Sequence, residues 1–379
     1  MKMKAIKGGR IVLPDRIVEG CALLYTEVIE GIVPVDEIPS DAEIIDATGC
    51  LVAPGLIDLH IHGYLGCDVC DGKEESLRTI AEGLVKNGVV GFLPTTMTES
   101  QEVIQNALET IRSLKEESKI WQGSEILGCH AEGPFISASK KGAQDEQYIK
   151  KPDAEWVNRY ADVIKIITLA PEEDDNFSEI ERMQTVVSMG HTSADYDTAF
   201  ESTKHGVRHA THLFNAMTPL THRAPGVVGA VLNSDVSCEL IVDGYHVSPA
   251  LFETVYKLKG RKLCFITDCL PAGGLEPGEY TLGGQKIIYK DNLCRLEDGT
   301  IAGSVLKLNQ GVKNVYESSN IPLWECFNCA SLNPANAIGI GDRKGSLEKG
   351  KDADIIVCNE NLDILKTVIR GETRYEFEG

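Results

Sequence analysis

Four of the nine histidines, together with two carboxylates, occupy positions where they could bind a divalent metal ion. His60 and His62 are separated by one residue, and the alternation of an extended strand would point both imidazoles to the same side. The others each follow a short apolar run: Glu132, His191, His212 and Asp268. Imidazole and carboxylate suit Zn²⁺ and similar first-row ions, and catalytic sites use about three protein ligands with one position left open. The pattern predicts a catalytic metal site.

Each of these residues also has a simpler explanation when it is taken alone. A single histidine is more often a hydrogen-bonded structural group than a ligand, and Asp268 could cap a following helix. The joint arrangement favours the metal site, because imidazole and carboxylate groups are costly to bury without partners. His205 and His209 share helical spacing, but Gly206 between them predicts a helix end, so we interpret both as structural.

The elements that must position these residues follow a regular alternation. Short apolar runs alternate with amphipathic segments such as Glu102 to Glu117 and Pro249 to Lys259, which is typical of parallel βα units. The candidate strands are 56–62, 89–96, 125–132, 163–170, 185–191, 207–212, 237–243 and 262–268. Eight such units predict an α/β fold, the (β/α)8 TIM barrel, whose active site lies at the C-terminal strand ends. The six polar residues all lie at such ends.

The two ends of the chain have a different pattern. Both contain short strand-like runs, such as 9–13 and 354–358, separated by Gly, Pro and Asp. Neither end could bury a core alone, so we predict one small β-sandwich domain made from residues 1–53 and 347–379. The barrel would then comprise residues 54–346, with a β insertion near 275–300 where Gly-Gly turns interrupt the alternation.

Composition limits the partners and the location of the protein. The 379 residues carry a formal net charge of −20, which disfavours binding to nucleic acid and to anionic membranes, and no local basic patch is found. No apolar run is long enough to predict a membrane span. The N-terminal residues lack the apolar segment of a secretion signal. We therefore expect a cytoplasmic protein whose twelve cysteines are reduced thiols.

Two C-x-x-C pairs, Cys67/Cys70 and Cys326/Cys329, offer a second candidate for a metal or redox site. They lie far apart in the sequence, which is unlike the closely spaced pairs of a zinc ribbon. In a predicted helix, Cys326 and Cys329 would share one face. Because buried free cysteine behaves as a small hydrophobe, core packing is the favoured interpretation.

Several motifs surround the candidate ligands. Six of them are specific: HAEGPF at 130–135, GHT at 190–192, THLFNAM at 211–217, DGYH at 243–246, TD at 267–268 and AGS at 302–304. Two longer segments, APGLIDLHIHG at 53–63 and GKDADIIV at 350–357, are more general. In these motifs, and over nearly its whole length, the sequence resembles the amidohydrolase superfamily, and within it the N-acetylglucosamine-6-phosphate deacetylases. The resemblance implies metal-dependent hydrolysis of the N-acetyl group to give an amino-sugar phosphate and acetate.

The resemblance also implies roles for individual residues. Glu132, His191 and His212 would hold a divalent ion, most simply Zn²⁺ with Fe, Co or Mn as alternatives, and Asp268 would be the acid/base. Family members differ at the position of His60 and His62, so the presence of both histidines here allows one or two ions per chain. The implied sugar-phosphate contacts are Ala143, Gln144, Asn215, Ala216, Arg223, His246, Ile301, Ala302, Gly303 and Ser304. Two of them, Arg223 and His246, are expected to reach across the interface of a homodimer.

Three alternatives remain open. Gln144 stands where most resembled sequences have a histidine beside the sugar, so N-acetylgalactosamine 6-phosphate is an alternative substrate. A cyclic amidohydrolase of the dihydroorotase or hydantoinase type would use a carboxylated lysine, whereas this sequence has Glu132 at that strand end. A catalytically inactive metal-binding protein would lack the acid/base, but Asp268 is present. The residues therefore favour a deacetylase over a cyclic amidohydrolase and over an inactive metal-binding protein.

Overall fold

An eight-stranded parallel barrel forms the centre of the computed structural model, which describes residues 2–377. Its strands are Leu56–Ile61, Val89–Thr96, Cys129–Glu132, Ile164–Leu169, Val186–Met189, Val207–Ala210, Ser237–Ile241 and Leu263–Ile266. The eighth strand meets the first through a parallel bridge between Ile61 and Cys269. A hydrogen bond of 2.9 Å from the Asp268 N–H to the His60 carbonyl lies beside this bridge. The predicted barrel is confirmed.

One predicted strand is interrupted. The run 125–132 forms a short strand, Glu125–Ile126, and then the barrel strand Cys129–Glu132. Gly128 between them has a φ of +149°, a conformation that other residues rarely adopt. The break lets the chain change its pairing from the second barrel strand alone to both neighbouring strands.

Helices cover the outside of the barrel, and the longer ones bury one apolar face against it. In the helix Gln101–Lys115, Ile104, Leu108 and Ile111 are buried, and the Ser100 side chain caps the first turn. The helices are Glu74–Leu84, Gln101–Lys115, Ala154–Asn158, Tyr196–Ser202, Gly226–Asn233, Phe252–Lys259, Leu308–Ser318, Leu323–Ala330 and Leu332–Ala337. Within residues 2–377, none of them combines the length and apolar character needed to cross a membrane.

Cys326 and Cys329 pack in the core as their spacing predicts, whereas Cys67 and Cys70 are only partly buried. Cys326 and Cys329 lie on the helix Leu323–Ala330, and both side chains are fully buried in the core. All twelve cysteines of the chain are free thiols. Burial raises the pKa of the Cys326 thiol to about 12, so it is neutral and packs as an apolar group.

Strands from both ends of the chain form two sheets that pack face to face. The first sheet contains Lys4–Lys7, Cys21–Tyr25, Ile29–Pro34 and Glu43–Asp46. The second contains Arg10–Val12, Ile17–Val18, Leu51–Pro54, Ile355–Cys358, Ile364–Ile369 and Glu372–Glu376. Leu23 and Tyr25 of the first sheet share a buried core with Val52, Ile355 and Val368 of the second. The sandwich from the two chain ends is confirmed, while its boundaries at 53 and 347 stay a prediction.

Two further small sheets lie beside the C-terminal ends of the barrel strands. A hairpin pairs Gly63–Tyr64 with Cys67–Asp68. A three-stranded antiparallel sheet, which we call the cover sheet, consists of Gly278–Leu282, Gln285–Lys290 and Leu293–Leu296. Leu282 and Ile287 of the cover sheet pack against Met97 and Leu270 of the barrel. This contact places the cover sheet over one side of the barrel mouth.

Candidate active site

The six predicted metal ligands converge at the C-terminal mouth of the barrel, and all of them are buried. Three of them, His191, His212 and Asp268, lie two residues beyond the end of a barrel strand. Their φ angles are +47°, +28° and +50°, which is a left-handed conformation that L-residues seldom adopt. The strands therefore end two residues earlier than the sequence predicted. Such backbone costs about 1–3 kcal/mol per residue and is concentrated at functional sites.

Glu132, His191 and His212 form one compact group of ligand atoms. The Nε2 atoms of His191 and His212 lie 3.2 and 3.0 Å from Glu132 Oε1, and 3.1 Å from each other. His191 Nδ1 donates to the Lys140 carbonyl at 2.8 Å, so a neutral His191 directs the lone pair of Nε2 into the group. Ligand atoms around a tetrahedral Zn²⁺ lie about 3.3 Å apart when each bond is about 2.0–2.1 Å long. These three residues fit such an ion.

His60, His62 and Asp268 form a second group beside the first. The two Nε2 atoms are 3.1 Å apart and lie 3.5 and 3.3 Å from Asp268 Oδ1. Glu132 lies between the groups, because its other oxygen, Oε2, is 3.2 Å from His62 Nε2. The donor set again suits a divalent ion, and one carboxylate contacts both groups.

The charges of the site favour ionised carboxylates. Burial alone would raise the pKa of Asp268, but His60 and His62 hold it below its usual range. Burial also acts against ionised Glu132, yet His60 and His191 hold its pKa well below the ordinary value. In His62, burial is outweighed by Asp268 and Glu132, which raise the pKa to about 9. Protons and a metal ion therefore compete for this histidine.

A cavity of about 370 Å³ opens above these residues. Seven of the predicted substrate contacts line it: Ala143, Gln144, Asn215, Ala216, His246, Ile301 and Gly303. Ala302 and Ser304 are buried behind the wall, where the Ser304 N–H donates to the Asp268 carbonyl at 2.8 Å. A larger cavity of about 600 Å³ lies beside Tyr245, but none of the six predicted ligands lines it.

The structure shows the surroundings of three of the predicted substrate residues, Gln144, His246 and Arg223. Gln144 is buried, and its side chain accepts from the Thr98 N–H and donates to Glu132 Oε2, both at 2.6 Å. Its amide therefore contacts a candidate metal ligand. His246 lines the cavity of its own chain and lies 2.7 Å from an Asp243 oxygen, and its contribution across a dimer interface stays a prediction. Arg223 is exposed, contacts the neighbouring residue and does not line the cavity.

Sequence reasoning missed some residues of the site. Lys140 and Tyr245 line the cavity. Tyr245 lies within the DGYH motif at 243–246, which could have indicated it, whereas Lys140 lies in none of the motifs named above. His130 precedes Glu132 by two residues, so strand alternation could have placed it on the same face; burial lowers its pKa to about 3. Glu239 had a clearer signal, since it is charged within the apolar strand Ser237–Ile241. Burial opposes its ionisation, but His60 and His209 hold its pKa well below the ordinary value.

Replacing both histidines of the His-x-His pair is expected to leave about one metal ion per chain. His60→Ala combined with His62→Ala removes two ligand atoms from the second group and none from Glu132, His191 and His212. Metal analysis of the purified, reloaded protein measures the outcome. His205→Ala, which removes an imidazole far from the cavity, is the control and should leave the metal content unchanged. Complete loss of metal in the double variant would show that the His-x-His pair anchors the principal ion.

Comparison with known proteins is consistent with this geometry. Residues 51–374 match the model of the amidohydrolase family. The chain is 40% identical over 348 residues to the N-acetylglucosamine-6-phosphate deacetylase of Bacillus subtilis strain 168, which covers 89% of this chain and 88% of that protein. It is 33% identical to the deacetylase of the same name from Bos taurus, with 99% and 95% covered.

The fold agrees equally well with solved structures. The crystal structure of N-acetylglucosamine-6-phosphate deacetylase from Pasteurella multocida matches with a TM-score of 0.93 at 34% identity, covering 98% of this chain and 99% of that one. The deacetylase from Thermotoga maritima matches with a TM-score of 0.86 at 33% identity, covering 98% and 100%. The agreement extends over the barrel and the sheets of the chain ends.

Proposed function

The chain belongs to the amidohydrolase family, and from that premise we propose that it hydrolyses N-acetylglucosamine 6-phosphate to glucosamine 6-phosphate and acetate. This is a reaction of amino-sugar catabolism. The observation that carries the proposal is the convergence of Glu132, His191 and His212 beside Asp268 under a cavity of about 370 Å³. The relatives that share the fold over nearly its full length bear the name of this activity.

The proposed cofactor is a divalent ion, most simply Zn²⁺, held by Glu132, His191 and His212. When bound, such an ion supplies a Lewis acid that polarises a carbonyl oxygen and makes water more acidic. Fe, Co and Mn accept the same ligands, so the choice of Zn²⁺ is a proposal. His60, His62 and Asp268 offer the ligand atoms for a second ion.

Asp268 is the proposed acid and base. Its low pKa makes it a carboxylate at neutral pH, so it can accept the proton of the attacking water and later pass it to the amine as the C–N bond breaks. Two backbone hydrogen bonds, from its N–H to the His60 carbonyl and from the Ser304 N–H to its carbonyl, fix its position. The cover sheet contributes Leu282 to the cavity wall and limits the access of water.

The phosphate needs cations close to it, because a net charge of −20 repels an anionic substrate at long range. In its own chain the cavity contains Lys140 and the imidazole of His246. We propose that the protein is a homodimer in which Arg223 of one protomer completes the site of its partner. The planar fork of donors in arginine suits a phosphate. A cytoplasmic location also stays a prediction.

The experiment that tests the function measures acetate release by the metal-loaded protein. N-acetylglucosamine 6-phosphate, N-acetylgalactosamine 6-phosphate and unphosphorylated N-acetylglucosamine are compared at equal concentrations. We expect the highest kcat/KM with the first compound. Faster release from the galacto compound would change the assigned sugar, and no release from either phosphate would refute the proposed function.

Replacing Arg223 by alanine is expected to lower kcat/KM for the phosphorylated substrate much more than for the unphosphorylated sugar. A charge-assisted contact is worth about 1.5–3 kcal/mol, or roughly 10- to 150-fold in kcat/KM. Arg223→Lys should recover part of the loss, because the charge remains and the fork does not. Arg261→Ala, which removes an exposed arginine elsewhere, is the control. Equal losses with the phosphorylated and unphosphorylated sugars would make Arg223 an ordinary surface charge.

Mixing two defective variants tests the placement of Arg223 across the dimer. If Asp268→Asn and Arg223→Ala chains form hybrid dimers, one site of each hybrid combines an intact Asp268 with an intact Arg223 from the neighbour. Activity should then rise after mixing and subunit exchange. Failure to regain activity, although exchange is shown with differently tagged chains, would place Arg223 on its own chain's site.

A further inference from the structure

A buried carboxylate lies beneath the candidate metal centre, and the reaction proposed above does not use it. Glu239 occupies the middle of the barrel strand Ser237–Ile241, and its side chain is fully buried. The neighbouring residues of the strand, Cys238 and Leu240, are also fully buried. A carboxylate in such surroundings is costly unless hydrogen-bond donors surround it.

Three nitrogen atoms lie within hydrogen-bond distance of the Glu239 carboxylate, and a fourth, His130 Nδ1, lies farther away at 3.7 Å. Its Oε2 lies 2.9 Å from His60 Nδ1 and accepts a hydrogen bond of 3.1 Å from the His212 backbone N–H. Its Oε1 lies 3.2 Å from His209 Nε2, and the other ring nitrogen of His209 lies 2.6 Å from the Ser237 hydroxyl. An ionised carboxylate only accepts hydrogen bonds. Each nitrogen that faces it must therefore donate.

This requirement determines where a neutral His60 carries its proton. Because Nδ1 donates to Glu239, the lone pair lies on Nε2. That atom faces the ligand atoms of the second group, 3.1 Å from His62 Nε2 and 3.5 Å from Asp268 Oδ1. The opposite tautomer would direct a proton at the same atoms and would leave Nδ1 without a hydrogen to donate to the carboxylate.

We propose that Glu239 is a positioning residue of the metal centre, which holds His60 in the tautomer and orientation that present Nε2 as a ligand. The proposal rests on the proposed function, since it concerns the same centre. A carboxylate behind a histidine ligand fixes the ring and increases its basicity, and removal of such a partner typically weakens metal binding by about 10- to 100-fold. The His212 N–H holds the carboxylate in place, so the His60 ring has a fixed acceptor.

Two substitutions distinguish the role of Glu239 as a hydrogen-bond acceptor from the role of its negative charge. Glu239→Leu removes both oxygens, so the His60 ring loses its partner. Glu239→Gln can keep an oxygen toward His60 and the His212 N–H. Its amide would then face His209, which can take the other tautomer and donate to Ser237. We expect a smaller effect from glutamine than from leucine.

The experiment starts from metal-free protein and measures its Zn²⁺ affinity by competition with a chelator. The number of ions per chain is then counted after the protein has been reloaded with Zn²⁺. Glu239→Leu should lower the affinity for the more weakly bound ion by about 10- to 100-fold. In a His60→Ala background the same substitution should add little further loss, because the ligand that it positions is absent. Asp235→Asn, which changes an exposed carboxylate just before the same strand, 3.2 Å from Lys262, is the control and should leave the affinity unchanged.

A purely structural carboxylate gives a different result. Unchanged affinity in the folded Glu239→Leu protein, or an equal loss with and without His60, would overturn the proposal. If the leucine variant does not fold, Glu239→Gln decides by the same comparison: its loss of affinity must disappear in the His60→Ala background. Acetate release by the unsubstituted protein is measured separately, so failure of the deacetylase proposal is distinguishable from failure of this one.

Discussion

Replacing Asp268 by asparagine is expected to remove nearly all acetate release while the principal metal ion stays bound. The amide cannot take a proton from water and return it to the departing amine, and a general acid–base group typically contributes about 10²- to 10⁴-fold to the rate. The change preserves the shape of the side chain. It also leaves Glu132, His191 and His212 intact as a group. The steady-state kcat with N-acetylglucosamine 6-phosphate is the measurement.

Metal content must be measured on the same sample, because Asp268 also belongs to the second ligand group. We expect the ion at Glu132, His191 and His212 to remain bound. The occupancy of the second, weaker site, which includes Asp268, should fall. Asp235→Asn is the matched control, since its carboxylate is exposed and contacts only Lys262 at 3.2 Å. A variant that keeps more than about a tenth of the wild-type kcat would show that another group transfers the proton.

The barrel and the position of the candidate ligands at its mouth could be predicted because they depend on local patterns. Each barrel strand is a short apolar run, and parallel strands must end together at one edge of the barrel. Glu132 at the end of Cys129–Glu132 follows from this rule alone. The rule also predicts that His191 and Asp268 lie at the barrel mouth. It does not predict their left-handed backbone conformation, which depends on the contacts that surround each strand end.

The contacts of the long loops could not be predicted in this way. Gln144 lies between Thr98, which follows the second barrel strand, and Glu132, which ends the third, and its position depends on how the loop after the third strand folds back over the barrel. The expectation that it contacts the sugar came from a family position rather than from its neighbours. The contact between Glu239 and His60 likewise arises from residues 179 positions apart, which only barrel closure brings together.

The far end of the barrel contains a buried ionic cluster around Lys344. Lys344 is fully buried, and its Nζ lies 2.7 Å from Glu125, 3.0 Å from Asp352 and 2.6 Å from Asp354. Glu125 precedes the third barrel strand, whereas Asp354 accepts a backbone hydrogen bond from Gly55 at 3.0 Å. The cluster therefore joins the barrel to the sandwich of the chain ends. Burial would lower the pKa of Lys344, but these carboxylates hold it above its ordinary value.

Lys344→Met is accordingly expected to lower the free energy of unfolding by about 3–5 kcal/mol, because it leaves buried carboxylates without their shared cation. Equilibrium denaturant unfolding measures the loss, and Lys349→Met, on an exposed lysine nearby, is the control. Adding Asp354→Asn should restore part of the stability by removing one of the unpaired charges. The kcat of the folded variant should stay near wild type, since the cluster lies at the opposite end of the barrel from Asp268. An unchanged unfolding midpoint would mean that Arg343, which lies 2.8 Å from Asp352, is sufficient to compensate the carboxylates.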